Sequence, residues 1–240
     1  MIQMNRYNKG DDFMNRYGVF DVIGPIMIGP SSSHTAAAAR LGKVASTICG
    51  KPIKKVTFLL HGSFAKTYKG HGTDKALIAG ILGMEPSDSN LRNSFEIAKN
   101  KGLEVEFIET DLGDDVHPNT IKFLMNTIDS EVTEVMGSSI GGGAIKITEV
   151  AGYSVDFTGQ YPTLIISNKD IPGSISAITN IIYEHNINIA TLKVYRIQKG
   201  HTASMLFELD HNLPKEALDK IRAVSSVYKA ILISPESKEV

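Results

Sequence analysis

The chain has 240 residues, 25 basic and 26 acidic side chains, a formal charge of -1, 42% hydrophobic residues and one cysteine. This length and apolar content suit two packed domains, and charges this balanced exclude the electrostatic footprint of a nucleic-acid or anionic-membrane binder, so a small-molecule ligand is expected. The lone thiol, Cys49, excludes an internal disulfide and a cluster held by this chain alone, since iron-sulfur centres ordinarily take about four protein thiolates.

The first residues carry no apolar run with a small-residue cleavage site, and no later stretch reaches about 18 uninterrupted apolar residues. A cytoplasmic protein without membrane contact is expected. Met-Asn-Arg-Tyr stands at 4–7 and again at 14–17, so residues 1–16 read as a leader or as the trace of an alternative start.

From Val19 to Pro30 an apolar segment broken by Gly24, Pro25, Gly29 and Pro30 predicts a strand or extended loop. A helix follows over 31–49: Ala37, Leu41, Val44, Ala45 and Ile48 recur at helical spacing, with Ser31 or Ser32 as N-cap after a proline. Val56, Phe58, Leu59 and Leu60 predict a buried strand ending at His61-Gly62, and helices are expected over 74–82 and 91–99. The segments EVEFIE, IKFLMNTI, EVTEVMGSS and AIKITEVAG read as strands, giving an α+β region to about Gly159 with a mixed or antiparallel sheet.

At Tyr161 the pattern restarts as strand, helix to about His185, two alternating strands joined at Lys199-Gly200, a helix after Pro214 and a last strand at VYKAILIS. That order, βαββαβ, folds as four antiparallel strands backed by two helices. The expected domains are therefore 17–159 and 160–234, with a loose charged tail at 235–240.

Three clusters could carry chemistry. Ser31, Ser32, Ser33, His34 and Thr35 sit at the mouth of the first long helix, where unpaired N–H groups and the positive helix end receive anions. A plain serine cap fits the same residues, and His34, seven residues before Leu41, fits a satisfied half-buried histidine. His61, Ser63 and Lys66, with His71 and Thr73 beyond them, lie where a strand end opens into a Gly-rich loop; an ordinary polar loop capping the next helix is the alternative. Asn168, Asp170, Pro172 and Gly173 occupy the first strand-to-helix connection of the second domain, where a capped loop is again the plainer account. Gly141-Gly142-Gly143 reads as a turn, Cys49 as a packed thiol, and no His, Asp or Glu set has zinc-site spacing.

The words GPIMIGPSSSHTAAAARLG, LLHGSFAKTYKGHGTDKALIAGILG and SSIGGGAIKI, running from Tyr17 to about Gly159, resemble the beta chain of iron-sulfur-dependent L-serine dehydratases. Residues from Tyr161 to Ser234, through the N-x-D-x-P-G loop and Asn186-Ile187-Asn188-Ile189, resemble an ACT domain, an amino-acid-binding regulatory module. The first region is also similar to the allosteric substrate-binding domain of some phosphoglycerate dehydrogenases. The resemblance implies the lyase reaction that turns L-serine into pyruvate and ammonia, dependent on a 4Fe-4S cluster and not on pyridoxal phosphate. With one cysteine here, it implies that the cluster sits on a separate alpha chain and that this chain is inactive alone.

On that footing His61 is the candidate catalytic residue. Ser31, Ser32, Ser33, His34, Thr35, Ser63, Lys66, His71 and Thr73 are candidate substrate or anion contacts, completing an active site or forming an effector site. Asn168, Asp170, Pro172 and Gly173 form the candidate ACT ligand loop, and self-association through that module is expected. A non-catalytic sensor of serine or an anion, acting on another enzyme, is the competing reading.

Overall fold

The computed structural model describes residues 26–159, 161–196 and 199–234. The leader at 1–16, residues 19–25 of the expected extended segment and the tail at 235–240 lie outside the described residues.

The chain opens on bends over 26–30 and a π-helical turn, Ser32–Ala36, that runs directly into α1, Ala37–Cys49. Ser31 is extended and caps the turn, its hydroxyl accepting the His34 N–H at 3.1 Å. The run of alanines favours helix and buries a face through Ala37, Leu41, Ala45 and Ile48. Gly50 ends α1 in a left-handed conformation. β1 (Ile53–Leu60) is followed by three helices, α2 (Gly62–Thr67), α3 (Thr73–Ile81) and α4 (Ser94–Asn100), the last entered through a 3-10 turn at Ser89–Asn93. The chain then returns as β2 (Glu104–Glu109), parallel to β1. β3 (Thr120–Thr127), β4 (Val132–Gly141), β5 (Ala144–Val150) and β6 (Tyr153–Phe157) continue as an antiparallel meander, so the sheet order is β2-β1-β3-β4-β5-β6.

Two glycines let α1 and α3 approach closely. A Cβ on Gly42 would lie 2.6 Å from the Leu77 carbonyl, and one on Gly80 would overlap the α1 backbone at Ala39. On the other side of α1, a Cβ on Gly137 of β4 would meet Leu41 at 2.7 Å. Helix α1 is thereby wedged between α3 and the sheet, and its first turn is fixed in place above β4.

The second sheet has the order β10-β7-β9-β8, all antiparallel, from β7 (Thr163–Lys169), β8 (Ile189–Arg196), β9 (Thr202–Leu209) and β10 (Val227–Ile233). Helices α5 (Ser174–Glu184) and α6 (Lys215–Arg222) cover one face through Ile178, Ile182, Ala217 and Ile221, packing on Leu164, Ile166 and Phe207. This is the expected βαββαβ arrangement. Because side chains alternate along a strand, Ile165, Leu206 and Ile233 point to the other face, where they join the core of the first sheet. Among the described residues no helix is long and apolar enough to cross a membrane.

Three local readings differ from the structure: the loop expected after His61 is helical over Gly62–Thr67, the helix expected from 91 begins at Ser94, and the short strand β6 adds to the expected elements, while the bends over 26–30 fit the loop alternative for that segment. A distant partner decides two of these: Gly62 can turn into α2 because Ser63 N–H reaches the Pro118 carbonyl at 2.7 Å, and β6 exists by lying along β5. Before Ser94 the cause is local, the Asp88 side chain accepting the Asn90 N–H and capping a 3-10 turn. The Gly141–Gly143 turn is found as expected, closing the hairpin of β4 and β5.

Candidate functional site

Three segments converge at the mouth of α1: the turn at 31–35, the start of α2 just beyond the carboxyl end of β1, and the loop leading into α3. The end of a parallel strand is where α/β sheets ordinarily present ligand contacts. Gly29 passes so close over Thr35 that a Cβ there would overlap the threonine side chain, which pins the turn beneath the entering chain.

His34 is the hub. Its Nε2 lies 3.2 Å from Ser63 Oγ and its Nδ1 lies 3.4 Å from Ser31 Oγ. Its ring meets Phe64 edge-on at 5.3 Å between centroids and stands 4.9 Å from the ring of His71. The pattern is consistent for a neutral imidazole. Ser31 Oγ already accepts the His34 N–H and can donate its own proton to Nδ1, so Nε2–H donates to Ser63 and leaves the Ser63 hydroxyl proton free. Burial holds the His34 pKa below its ordinary value, and the neighbouring His71 lowers it further.

Thr35 is buried and its hydroxyl donates to the His71 carbonyl at 3.1 Å, tying the first cluster to the α3 entry loop. Thr73, fully buried, opens α3 beside Asp74. Desolvation chiefly raises the pKa of the Asp74 carboxyl, opposed by the Lys75 N–H that it accepts at 2.8 Å.

Six of the candidate contacts are thus brought together: Ser31, His34, Thr35, Ser63, His71 and Thr73. Ser32 and Ser33 belong to the same turn and are half-buried. Lys66 is not joined to the cluster but stands exposed on the last turn of α2. His61 precedes α2, and its Nδ1 accepts the Leu112 N–H at 3.1 Å with Asp111 3.5 Å away. That ring nitrogen is committed to the loop after β2.

A further wall was not anticipated. The loop 117–120 is stitched to the site by Ser63 N–H on the Pro118 carbonyl, and to β4 by Ser139 N–H on the Asn119 carbonyl at 2.9 Å. Beside it the buried hydroxyls of Thr120 and Ser138 share a 2.6 Å hydrogen bond. The signals present in the sequence were the turn residues Pro118-Asn119 and the paired serines before three glycines.

In the second module, the Asp170 carboxylate accepts the Gly200 N–H at 2.8 Å and pairs with Arg196 at 3.2 Å. These contacts hold its pKa below the ordinary carboxylate value, the Gly200 bond being the largest cause. Asn168 is buried and donates to the Lys169 carbonyl, and Gly173, in a left-handed conformation, starts α5. Pro172 is exposed between them.

The donor set does not fit an iron-sulfur cluster. Cys49 is the one cysteine of the sequence and is buried at the far end of α1, and among the described residues no group of three or more His, Cys, Asp or Glu could hold a metal ion.

These features define a two-module α/β chain with a hydroxyl and imidazole cluster at a helix mouth and a split βαβ module behind it. Residues 18–150 match the family model for the serine dehydratase beta chain, and residues 162–226 match the ACT domain model. The L-serine dehydratase beta chain of Peptoniphilus asaccharolyticus is 42% identical over 211 residues, 88% of this chain and 95% of that one. The probable L-serine dehydratase beta chain of Bacillus subtilis is 39% identical over 221 residues, 92% of this chain and 100% of that one. A D-3-phosphoglycerate dehydrogenase of Methanocaldococcus jannaschii is 27% identical over 86% of this chain but only 39% of its own length. The chain belongs to the serine dehydratase beta chain family and carries an ACT domain.

Proposed function

We propose that this chain is the beta subunit of a two-chain L-serine dehydratase, a cytoplasmic lyase that converts L-serine to pyruvate and ammonia. Its beta domain spans 17–159 and its ACT domain 160–234. A separate alpha chain holds the 4Fe-4S cluster, and no pyridoxal phosphate takes part. The observation that carries the reading is the His34, Ser63 and His71 cluster at the mouth of α1 in a chain of this family.

In the overall reaction the α-proton and the β-hydroxyl of serine leave as water, and the resulting enamine tautomerises and hydrolyses to pyruvate and ammonia. This chain's share is binding and proton handling. The hydroxyls of Ser32, Ser33 and Ser63, with the helix N–H groups, orient the carboxylate. The base is a histidine. Of the two candidates His71 is better supported than His61, because its ring lies 4.9 Å from that of His34 in the cluster while Nδ1 of His61 is taken by the Leu112 N–H.

The sensor reading draws support from the similarity to phosphoglycerate dehydrogenases, in which the matching region is a minor part of a larger chain. Anaerobic pyruvate formation from L-serine separates the two. Activity only when this chain is mixed with a cysteine-bearing alpha chain supports the subunit. Activity of this chain alone overturns the division of labour, and neither activity nor association leaves the sensor.

A further inference from the structure

Buried polar atoms are ordinarily paired, because an unpaired one in the interior has lost its hydrogen bonds to water without replacement. Among the described residues the buried side-chain atoms without a hydrogen-bond partner are His71 Nδ1, Thr73 Oγ1, Asn119 Oδ1, Ser139 Oγ and Asn168 Oδ1. Four of these five belong to the segments that meet at the mouth of α1. Ser139 and Thr73 are both wholly buried. Asn119 and Ser139 are joined through their backbones, and the loop carrying Asn119 is bonded to Ser63 through the preceding residue, Pro118.

The chemistry of the orphaned atoms differs in a useful way. A hydroxyl or an imidazole nitrogen can adapt to a donor or an acceptor, whereas the amide oxygen of Asn119 can only accept. Its missing partner is therefore a hydrogen-bond donor. Donors for an anion stand among the same segments: the free proton of Ser63 and the hydroxyl of Ser139, whose backbones are bonded to the loop that carries Asn119. A ligand that satisfies the acceptor and these donors together carries a cationic or N–H donor group next to a carboxylate.

We propose that Asn119 and Ser139 are binding residues of this site, and that Asn119 Oδ1 receives the α-ammonium group of an amino acid while Ser139 donates to its carboxylate. The proposal rests on the reading of the site as one for L-serine and deepens it: Asn119 makes the site specific for amino acids over the corresponding hydroxy acid that lacks the amine. Placing an unpaired acceptor against an absent donor is an effective discriminator, because the wrong ligand leaves the buried oxygen unmet.

The test compares dissociation constants for L-serine and for 3-hydroxypropanoate, which is serine without its α-ammonium group, by NMR titration of the full-length chain assembled with its alpha chain. The wild-type assembly is expected to bind serine the more tightly. Asn119→Leu is expected to weaken serine by about tenfold or more while changing 3-hydroxypropanoate by no more than about twofold. Asn119→Asp, which keeps an acceptor in place and guards against a folding defect in the leucine variant, retains serine binding. Ser139→Ala weakens both ligands alike.

Equal losses for both ligands in Asn119→Leu, or none, would overturn the assignment and leave Asn119 as a residue that binds structural water. Wild-type binding of 3-hydroxypropanoate as tight as that of serine would overturn it too. If the wild-type assembly binds no serine at all, the underlying reading of the site falls and takes this one with it.

Discussion

The Nε2 of His34 and the hydroxyl of Ser63 stand 3.2 Å apart although 29 positions separate them in the chain. That bond joins the π-helical turn before α1 to the first turn of α2, and it makes one site of two motifs that are remote in sequence.

Since burial lowers the His34 pKa and His71 lowers it further, the folded chain resists protonation that the unfolded chain accepts. The sign follows from linkage: between the unfolded value near 6.5 and the lower folded value, unfolded chains bind more protons, so stability falls as pH falls through that window. Above it both states are neutral at this residue and the contribution is flat. His34→Gln keeps a polar side chain that does not titrate. The drop in thermal midpoint between about pH 7.5 and about pH 5.5, which spans the ordinary histidine range, is expected to be smaller in His34→Gln than in the wild type, and an NMR titration is expected to place His34 below the ordinary histidine value. Equal drops in the two proteins would remove His34 from the account of acid sensitivity.

Gly62 holds a φ of 57°, and a Cβ there would lie 2.5 Å from the Pro118 carbonyl that Ser63 N–H needs. Gly62→Ala is therefore expected to strain both the left-handed backbone and this contact, costing about 1–3 kcal/mol in urea unfolding. The same change shifts Ser63 relative to His34, so KM for L-serine in the assembled enzyme is expected to rise. Gly50→Ala is the comparison: it is also left-handed but has open surroundings, its nearest non-neighbouring contact being 3.6 Å away. A Gly62→Ala protein no less stable than Gly50→Ala would show that the close approach to Pro118 is relaxed without cost.

Much of this architecture is written in local patterns. The helix from the serines to Cys49 follows from alanine content, a capping serine and helical spacing, and the βαββαβ order follows from alternating strands with turn residues between them. What local pattern does not carry is the direction in which a side chain finally points. His61 and His71 look alike in the sequence, each followed by glycine, yet one ring nitrogen is captured by Leu112 N–H and the other ring lies against His34. Likewise nothing near Asn119 reveals that β4 will arrive beside it, because that neighbour comes from the antiparallel pairing of Thr120 with Ser138. The short strand β6 depends on the same kind of distant partnership, with β5.

In the ACT domain the Asp170 carboxylate fastens the strand-to-helix loop to the β8–β9 turn through Gly200 N–H and Arg196. Asp170→Asn weakens the charge-assisted bond to Gly200. The expected result is faster hydrogen exchange of the Gly200 amide, with exchange in the core of β9 unchanged. As the folded pKa of Asp170 lies below its unfolded value, the wild-type contribution is present above the unfolded carboxylate range and is lost as pH falls through the folded value. The difference in exchange between wild type and variant is therefore expected to shrink in acid. Unchanged Gly200 exchange at neutral pH would mean that the turn is held by its backbone alone.

Self-association through the ACT domain is expected to use β8, the edge strand of its sheet, on which Leu192 is 39% and Val194 43% exposed. An unpaired strand edge bearing exposed apolar side chains is a natural surface for a second copy. Deleting the whole module is a poor test, because Ile165, Leu206 and Ile233 complete the core of the first domain and their loss would destabilise it directly. Point changes on the edge avoid this. The wild-type chain is expected to sediment as a dimer, and Leu192→Glu combined with Val194→Glu is expected to give a folded monomer through like-charge repulsion and loss of apolar contact. Because neither side chain belongs to either core, the thermal midpoint of the first domain should move little. A double variant that remains dimeric would place the contact elsewhere on the chain, and a wild type that sediments as a monomer would end the proposal that this edge is used.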